Sequence, residues 1–407
     1  MCKKMHTAAE CAHNTKRDGS KWGMPPKYSC NYGYRIANFD LEPVPDPRVL
    51  DSFPALKMNV SVKIAVASVL DKSGIISLIR SYRSARTGLV LALHRVLPEE
   101  EARRSFQPSI TITDTIFEQL IVLLHQEFHV VSLEQLLSQP EDLEGHQRVA
   151  LTFDDGWSDT FTYAFPLLLR YRVPATVFLC PALMRDGVTI PEERFARIWQ
   201  WCEARHHLDL LLQDLHKWGL SGGDMHDRRT WSAPLRRLAV HAKMLMLSHL
   251  ETAYGVPECE ARRILTWDEA RIMQRNGITF GSHTMHHSTL SAEQQPDLEK
   301  ELVESRWEIE SELGEAVRWL AYPNGAFNSR VTEAARKAGY SHCFTTEEGG
   351  LCRGSNPFAI PRINIDDASV IGRIGSLSPS RARFHLQHFY GSAALLAGLT
   401  LWRALAC

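Results

Sequence analysis

The chain has 407 residues, of which 44% are hydrophobic and 23% are charged, and its formal net charge at pH 7 is -1. This profile is typical of a soluble globular protein with one large domain or two ordinary ones, and the near-zero charge gives no support to a nucleic-acid partner. The nine cysteines lie singly without a CxxC pair, which argues against a thiolate zinc site and favours a reducing compartment.

Residues 1–57 are rich in Lys, Asn, Pro and Gly and end in the proline cluster LEPVPDPRVLDSFP. This composition predicts a disordered leader. Basic residues at the N-terminus are not followed by an apolar core, so no secretory signal is predicted. The apolar runs at 60–70 and 390–402 are shorter than the roughly 20 residues of a membrane span. We therefore expect a cytoplasmic protein.

From residue 89 onward, short apolar runs alternate with helical patterns. Helices are predicted between most of these runs, for example over residues 117–124 and 292–313. The alternation predicts parallel βα units, and about eight of them predict a closed or nearly closed barrel. The predicted strands are residues 89–93, 129–132, 149–153, 175–179, 278–282, 317–322, 341–346 and 358–363.

The alternation is interrupted by two helical patterns, at residues 195–215 and 235–254, which we interpret as an inserted helical cap. The C-terminal run at 390–402, flanked by Arg381, Arg383 and Arg403, could contact a membrane surface, although a helix packed on the domain is the commoner arrangement. The predicted organisation is a leader at 1–57, barrel segments at 58–180 and 264–370, an insertion at 181–263 and a tail at 371–407.

Polar residues follow several of the predicted strands. In parallel barrels the functional groups come from the C-terminal ends of the strands, so these side chains are expected to meet. His94 follows the first strand, Asp154 and Asp155 follow the run VALTF, His283 follows ITFGS, and Tyr322 closes VRWLAY.

The histidine motif and the paired aspartates together predict a metal site. His283 and His287 are four residues apart, so both imidazoles can reach one ion, with His286 as the rival ligand. Asp154 and Asp155 would point to opposite faces, so that one binds the metal and the other faces its water. Alone, each motif is weak, because HxxxH is common and DD can cap a helix or begin a calcium loop. Together they predict a metal-dependent hydrolase.

The combination of TFDDG, SHTMHH and LAYPNG resembles the polysaccharide deacetylase family, the carbohydrate esterases of the NodB type. The resemblance covers about residues 88–180 and 264–365. It implies an α/β fold, a distorted (β/α) barrel of about seven to eight parallel strands that here carries the helical cap. It also implies that Asp154 is the catalytic base and that Asp155, His283 and His287 are the metal ligands.

The resemblance further implies substrate contacts. Tyr322, Pro323 and Arg318 match the region that lines the substrate groove, and the arginine of that region orients the base. Trp157 is a candidate for stacking on a sugar ring. Thr284 matches the small hydroxyl position within the histidine motif.

The chain departs from the family pattern at the general acid. The usual Leu-x-His strand after the other motifs is absent, and LALHRV stands first instead, as in a subgroup with a circularly shifted order. His94 would then be the general acid. The motif that orients this histidine is not evident, and Arg362 and Asp366 are candidates for a supporting role.

The function implied by the resemblance is hydrolysis of the N-acetyl group of amino sugars to acetate and a free amine. The substrate would be a polymer, an oligosaccharide or a lipid-linked precursor, and the cofactor a divalent metal, with zinc first and cobalt or nickel as alternatives. Two other functions stay open. One is hydrolysis of a different non-peptide C–N bond, and the other is an inactive carbohydrate-binding protein, against which the retained aspartates and histidines argue.

Overall fold

The computed structural model describes residues 60–77, 87–105, 107–140, 146–224, 227–257, 263–372 and 375–387. The predicted leader at 1–57 and the apolar run at 390–402 lie outside these ranges. None of the helices within them combines the length and apolarity that crossing a bilayer requires.

The strands follow the predicted alternation with helices. Each of the eight predicted runs overlaps one strand of the main sheet, whereas the short pair β2–β3 was not predicted. The strands are β1 (Leu89–Leu93), β2 (Arg95–Leu97), β3 (Thr111–Thr113), β4 (His129–Val130), β5 (Arg148–Phe153), β6 (Ala175–Leu179), β7 (Thr279–Ser282), β8 (Trp319–Ala321), β9 (His342–Phe344) and β10 (Ile363–Asn364).

The main sheet has the order β10-β1-β5-β6-β7-β8-β9, with β4 beside β5, and its strand pairs are parallel. Ile360 bridges Phe344 of β9, and Ile363 pairs with Leu91 of β1. The short segment at 360–364 therefore contacts β9 at one end of the strand order and, through β10, β1 at the other. The sheet curls into the distorted α/β barrel that the resemblance implies.

Helices surround this sheet, which explains why β1 and β6 are buried along their whole length. The helices are α1 (Val60–Lys72), α2 (Glu99–Arg103), α3 (Asp114–Glu127), α4 (Leu133–Ser138), α5 (Phe165–Tyr171), α6 (Pro181–Asp186), α7 (Pro191–Glu203), α8 (Leu208–Lys217), α9 (Ser232–Leu235), α10 (Val240–Tyr254), α11 (Trp267–Arg275), α12 (Asp297–Leu313), α13 (Ser329–Lys337), α14 (Asp367–Val370) and α15 (Pro379–Leu386).

The helix predicted at 292–313 begins later than expected, at Asp297. Pro296 explains the late start, because the residue before a proline is disfavoured in helical conformation. Its apolar face is buried, with Leu298, Leu302 and Ile309 in the core and Leu313 partly buried against it.

The helical segment between β6 and β7 has an apolar core of its own. Helices α7 to α10 contribute to it, and its largest side chains include Phe195, Trp199 and Trp231. This apolar cluster is distinct from the one in the core of the barrel.

The two arginines that precede the C-terminal apolar run, Arg381 and Arg383, contact other residues of the domain. Arg381 is 4% exposed and donates hydrogen bonds to the carbonyls of Ile371 and Ala368. Arg383 lies on α15 and pairs with Glu127 and Asp71. Their guanidinium groups therefore hold α15 against the domain. The predicted membrane contact concerns the run at 390–402, which lies outside the described residues, and it stays a prediction.

Candidate metal and active site

A pocket of about 570 Å³ lies where the barrel strands end. Side chains that follow β1, β5 and β7 line it, namely His94, Asp154, Asp155, His283 and His287. The insertion contributes another part of the wall, with Ile190, Glu192, Phe195, Leu235 and Arg236. The pocket is therefore built jointly by the barrel and the insertion.

Three of these residues form a compact cluster of metal-ligand atoms. Oδ1 of Asp155 lies 3.3 Å from Nε2 of His283 and 3.3 Å from Nε2 of His287. All three side chains are buried, and no hydrogen-bond donor to Oδ1 lies among the residues that the structure describes. A buried carboxylate oxygen without a donor is costly unless a cation satisfies it. The cluster therefore fits a divalent metal ion, and its donor set suits zinc.

The backbone of the barrel fixes the tautomer of His283. Its Nδ1 lies 2.8 Å from the carbonyl oxygen of Ala321, at the end of β8. A carbonyl only accepts hydrogen bonds, so Nδ1 carries the proton. The lone pair of Nε2 is then directed at Asp155, as a metal ligand requires.

The turn between the two histidines excludes the rival ligand. Thr284 and His287 have positive φ angles of 66° and 57°, and the Thr284 hydroxyl accepts a hydrogen bond from the Ser288 amide at 2.9 Å. Nδ1 of His286 lies 2.7 Å from Oε1 of Glu301, and this hydrogen bond raises the pKa of His286. His286 thus faces Glu301 and not the cluster.

The paired aspartates were expected to point to opposite faces. The structure shows a different arrangement. Asp155 and Gly156 have φ angles of 73° and 71°, so the chain leaves the direction of β5 directly after Asp154. Aspartate tolerates this left-handed conformation better than most residues. Both carboxylates consequently line the same pocket but contact different partners.

The partner of Asp154 is Arg362. Its two terminal nitrogens donate hydrogen bonds of 2.7 Å to the two oxygens of Asp154, and its Nε donates to the Thr345 carbonyl at 3.0 Å. Both side chains are almost fully buried. Burial raises the pKa of Asp154, but the Arg362 guanidinium, together with the nearby imidazoles of His283 and His94, leaves that pKa below its usual value. Asp154 is therefore held as a carboxylate.

His94 completes the group of reactive side chains. Its Nε2 lies 3.8 Å from Oδ2 of Asp154, and its side chain is 17% exposed. Burial lowers the pKa of His94, although Asp155 and Asp154 act in the opposite direction. Its Nδ1 has no hydrogen-bond partner in the described part of the chain. Asp366 does not orient it, because the Asp366 carboxylate caps α14.

The structure does not place Arg318 in the pocket. Arg318 precedes β8, whereas the pocket lies beyond the opposite ends of the strands, and its exposed guanidinium is 3.6 Å from Glu134. The expectation that Arg318 orients the base is wrong, because Arg362 makes that contact. Arg362 stands out in the sequence as part of IPRINIDD, but its distance along the chain from Asp154 gives no indication that the two side chains are in contact.

Three further residues predicted to contact substrate are buried instead. Tyr322 is fully buried, its hydroxyl donates to the Phe358 carbonyl at 3.2 Å, and Pro323 beside it is buried as well. Trp157 is also fully buried, with the Arg95 guanidinium 4.3 Å from its ring. None of these side chains has a free face for a sugar, so these expectations are wrong.

Trp157 has a different contact with the cluster. Its Nε1 donates a 2.8 Å hydrogen bond to Oδ2 of Asp155. This bond fixes the carboxylate so that Oδ1 faces the two histidines. Glu192, which the sequence did not single out, also lies beside the cluster, with its Oε2 3.0 Å from Nδ1 of His287. No motif marks Glu192, which lies in the first turn of α7 in the insertion.

The comparisons with known proteins agree with the resemblance seen in the sequence. A family model described as polysaccharide deacetylase matches residues 143–206 and 230–343, and the resemblance is thereby confirmed. The two matched stretches are separated by residues 207–229, which include α8.

Among curated proteins, the chain is 21% identical over 217 residues to the "Putative polysaccharide deacetylase YxkH" of Bacillus subtilis (strain 168), covering 53% of this chain and 51% of the relative. It is 22% identical over 223 residues to the "Poly-beta-1,6-N-acetyl-D-glucosamine N-deacetylase" of Staphylococcus aureus (strain N315), covering 54% of each protein. The chain thus spans about half the length of the curated relatives that it matches.

Two solved structures are similar to this chain. The Streptococcus pyogenes deacetylase PplD in complex with acetate has 18% identity and a TM-score of 0.48, covering 74% of this chain and 98% of that one. The structure of IcaB from Ammonifex degensii has 17% identity and a TM-score of 0.47, covering 74% of this chain and 97% of that one.

Proposed function

We propose that this chain, which contains a polysaccharide deacetylase domain, hydrolyses the N-acetyl group of amino sugars with the help of a divalent metal. The observation that carries the proposal is the Asp155, His283 and His287 cluster, which shares one buried pocket with a second, separately held carboxylate, Asp154. Two histidines and one carboxylate leave a coordination position for water or substrate.

An amide resists hydrolysis, so the site must supply a strong nucleophile, stabilise the oxyanion and provide a proton donor. A divalent metal held by Asp155, His283 and His287 would lower the pKa of a water towards about 7 and polarise the acetyl carbonyl. Zinc suits these ligands, and cobalt or nickel are alternatives.

Asp154 is the proposed general base. Arg362 keeps it ionised and fixes the plane of its carboxylate through two hydrogen bonds of 2.7 Å. An ionised, oriented carboxylate beside the cluster can accept the proton of the attacking water.

His94 is the proposed proton donor to the departing sugar nitrogen. It lines the same pocket, and its lowered pKa means that it is neutral in the resting protein at pH 7. The proton that His94 delivers would therefore be gained during turnover. Asp154, at 3.8 Å, is the nearest group that holds a proton after the water has reacted.

The shape of the pocket supports a short substrate. Ile190, Phe195 and Leu235 of the insertion form part of its wall, and about 570 Å³ is within the range of small-molecule sites. We propose an amino-sugar oligosaccharide or lipid-linked precursor in preference to a long polymer. The same wall supports the second candidate, a small-molecule amide with another acyl group.

The proposed setting is a reducing compartment such as the cytoplasm. Within the described ranges, Cys180, Cys202, Cys343 and Cys352 are free thiols, which is compatible with that setting.

The test is acetate release from N-acetylglucosamine oligosaccharides of several lengths by the metal-reconstituted protein. Asp154→Asn is the matched variant, because it leaves Asp155 and both histidines in place. The proposal expects acetate from the wild type, little from the variant, and equal metal content in both. A fully metallated wild type that releases no acetate from any length, yet hydrolyses formyl or small-molecule amides, would favour the second candidate.

A further inference from the structure

We propose that Glu192, which the helical insertion supplies, is a positioning residue for the metal site and holds His287 in the tautomer and orientation that a metal ligand needs. The inference rests on the metal site of the proposed function and adds a specific role for the insertion in building it.

The side chains of Glu192 and His287 are in contact. Oε2 of Glu192 lies 3.0 Å from Nδ1 of His287, on the side of the ring away from Asp155. The carboxylate has no proton to donate, so its negative charge at this distance favours the tautomer with the proton on Nδ1, the nearer ring nitrogen, and leaves Nε2 with its lone pair. Metal-binding histidines commonly have such a carboxylate or carbonyl partner.

The two histidines of the cluster differ in which part of the protein positions them. The Ala321 carbonyl of β8 holds Nδ1 of His283, so the barrel alone positions that ligand. The corresponding partner of His287 is a side chain of α7, outside the barrel. One ligand is thus positioned by the barrel and the other by the insertion.

The environment of Glu192 keeps its carboxylate in place. Nζ of Lys243, on α10 of the insertion, lies 3.7 Å from Oε1 of Glu192. Lys243 is only 1% exposed, so its charge is placed inside the protein. A buried ammonium group needs a counter-charge, and Glu192 is the carboxylate that provides it.

A second connection joins the insertion to the histidine turn. Oε1 of the buried Glu293 accepts hydrogen bonds from the Val240 amide, at the start of α10, and from the Ser288 hydroxyl. The distances are 2.7 and 2.6 Å. Glu293 therefore fixes α10, and with it Lys243, relative to the turn that carries His287.

The test measures zinc affinity by competition with a chelator, without any substrate. Removing Glu192 alone would leave the buried Lys243 ammonium without its counter-charge. The zinc affinity of the double variant Glu192→Leu/Lys243→Met is therefore compared with that of Lys243→Met. Both lack the buried ammonium, and only the double variant lacks the carboxylate on His287. We expect the double variant to bind zinc about 10- to 100-fold more weakly than Lys243→Met.

Two further variants separate positioning from general damage. Glu203→Gln removes an exposed carboxylate from the same helix and should bind zinc as the wild type does. Glu192→Gln keeps an oxygen that can accept from Nδ1 and should retain most of the affinity. The zinc-free double variant should be at least as stable to heat as zinc-free Lys243→Met, because it no longer buries a carboxylate without its counter-charge. A less stable double variant would indicate a merely structural role for Glu192.

Equal zinc affinity of Lys243→Met and the double variant would overturn the inference. A wild type that binds zinc but releases no acetate would refute the proposed reaction and leave this role of Glu192 standing. A wild type that binds no zinc would refute both.

Discussion

The contact between Arg362 and Asp154 leads to a sharp prediction, because the sequence and the structure assign the partner of the base to different arginines. The perturbation is Arg362→Lys, which keeps a positive charge but replaces the planar fork by a single point charge. At least one of the two 2.7 Å hydrogen bonds to Asp154 is then lost.

The magnitude follows from burial. The Arg362 and Asp154 side chains are 1% and 3% exposed, so water screens their interaction little. A hydrogen bond between charged groups contributes about 1.5–3 kcal/mol, and we expect Arg362→Lys to lower the free energy of unfolding by about that amount. Arg362→Met would cost about 3–5 kcal/mol, because it leaves Asp154 buried without a partner.

The effect on catalysis has a defined sign. In the wild type, Arg362 holds the pKa of Asp154 below its usual value, so the base is active above that pKa and is lost as the pH falls through it. A weaker partner lets burial raise the pKa of Asp154. The acid limb of kcat/KM against pH should therefore move to higher pH in Arg362→Lys.

The assay is the pH profile of kcat/KM for deacetylation, with Arg318→Lys as the matched control. Arg318 is exposed and lies at the other end of β8, so its variant should have the wild-type profile. An acid limb that moves in Arg318→Lys and stays fixed in Arg362→Lys would refute the assignment. The double variant Asp154→Asn/Arg362→Met should regain stability over Arg362→Met, since it removes both charges.

Three other predictions follow from individual contacts. His286→Ala should leave the zinc content unchanged while His287→Ala loses it, as measured by metal analysis after dialysis, because only His287 lies in the cluster. Trp157→Phe should weaken zinc binding in a chelator competition, because Oδ2 of Asp155 loses its indole donor. His94→Gln should retain bound metal and lower kcat about 10²–10⁴-fold in acetate release, the contribution typical of a general acid.

The sequence predicted the parts of the fold that depend on local pattern. Apolar runs such as VALTF stand out because a strand buried on both faces needs apolar residues throughout. His94, Asp154 and His283 were found because each directly follows such a run, and parallel strands place these positions at one end of the barrel. The short pair β2–β3 has no comparable run and was not found.

The residues that were missed or misassigned depend on packing between distant segments. Arg318 is close to Tyr322 in sequence, but a residue before a strand and one after it lie at opposite ends of the barrel. Glu192 belongs to the insertion, and only the packing of α7 on the barrel brings it to His287. No periodicity in the sequence encodes that contact.

The two adjacent aspartates are both buried, but their carboxylates have different surroundings. Asp154 pairs with Arg362, which the barrel supplies, whereas Oδ1 of Asp155 lies 3.3 Å from Nε2 of His283 and 3.3 Å from Nε2 of His287. When both Nε2 atoms are unprotonated, as metal ligands must be, three lone-pair donors meet at this point. Those three groups repel one another unless a cation lies between them. The protein thus stabilises one carboxylate internally, and in the proposed function a metal would satisfy the other, so that the two adjacent acids share one reaction.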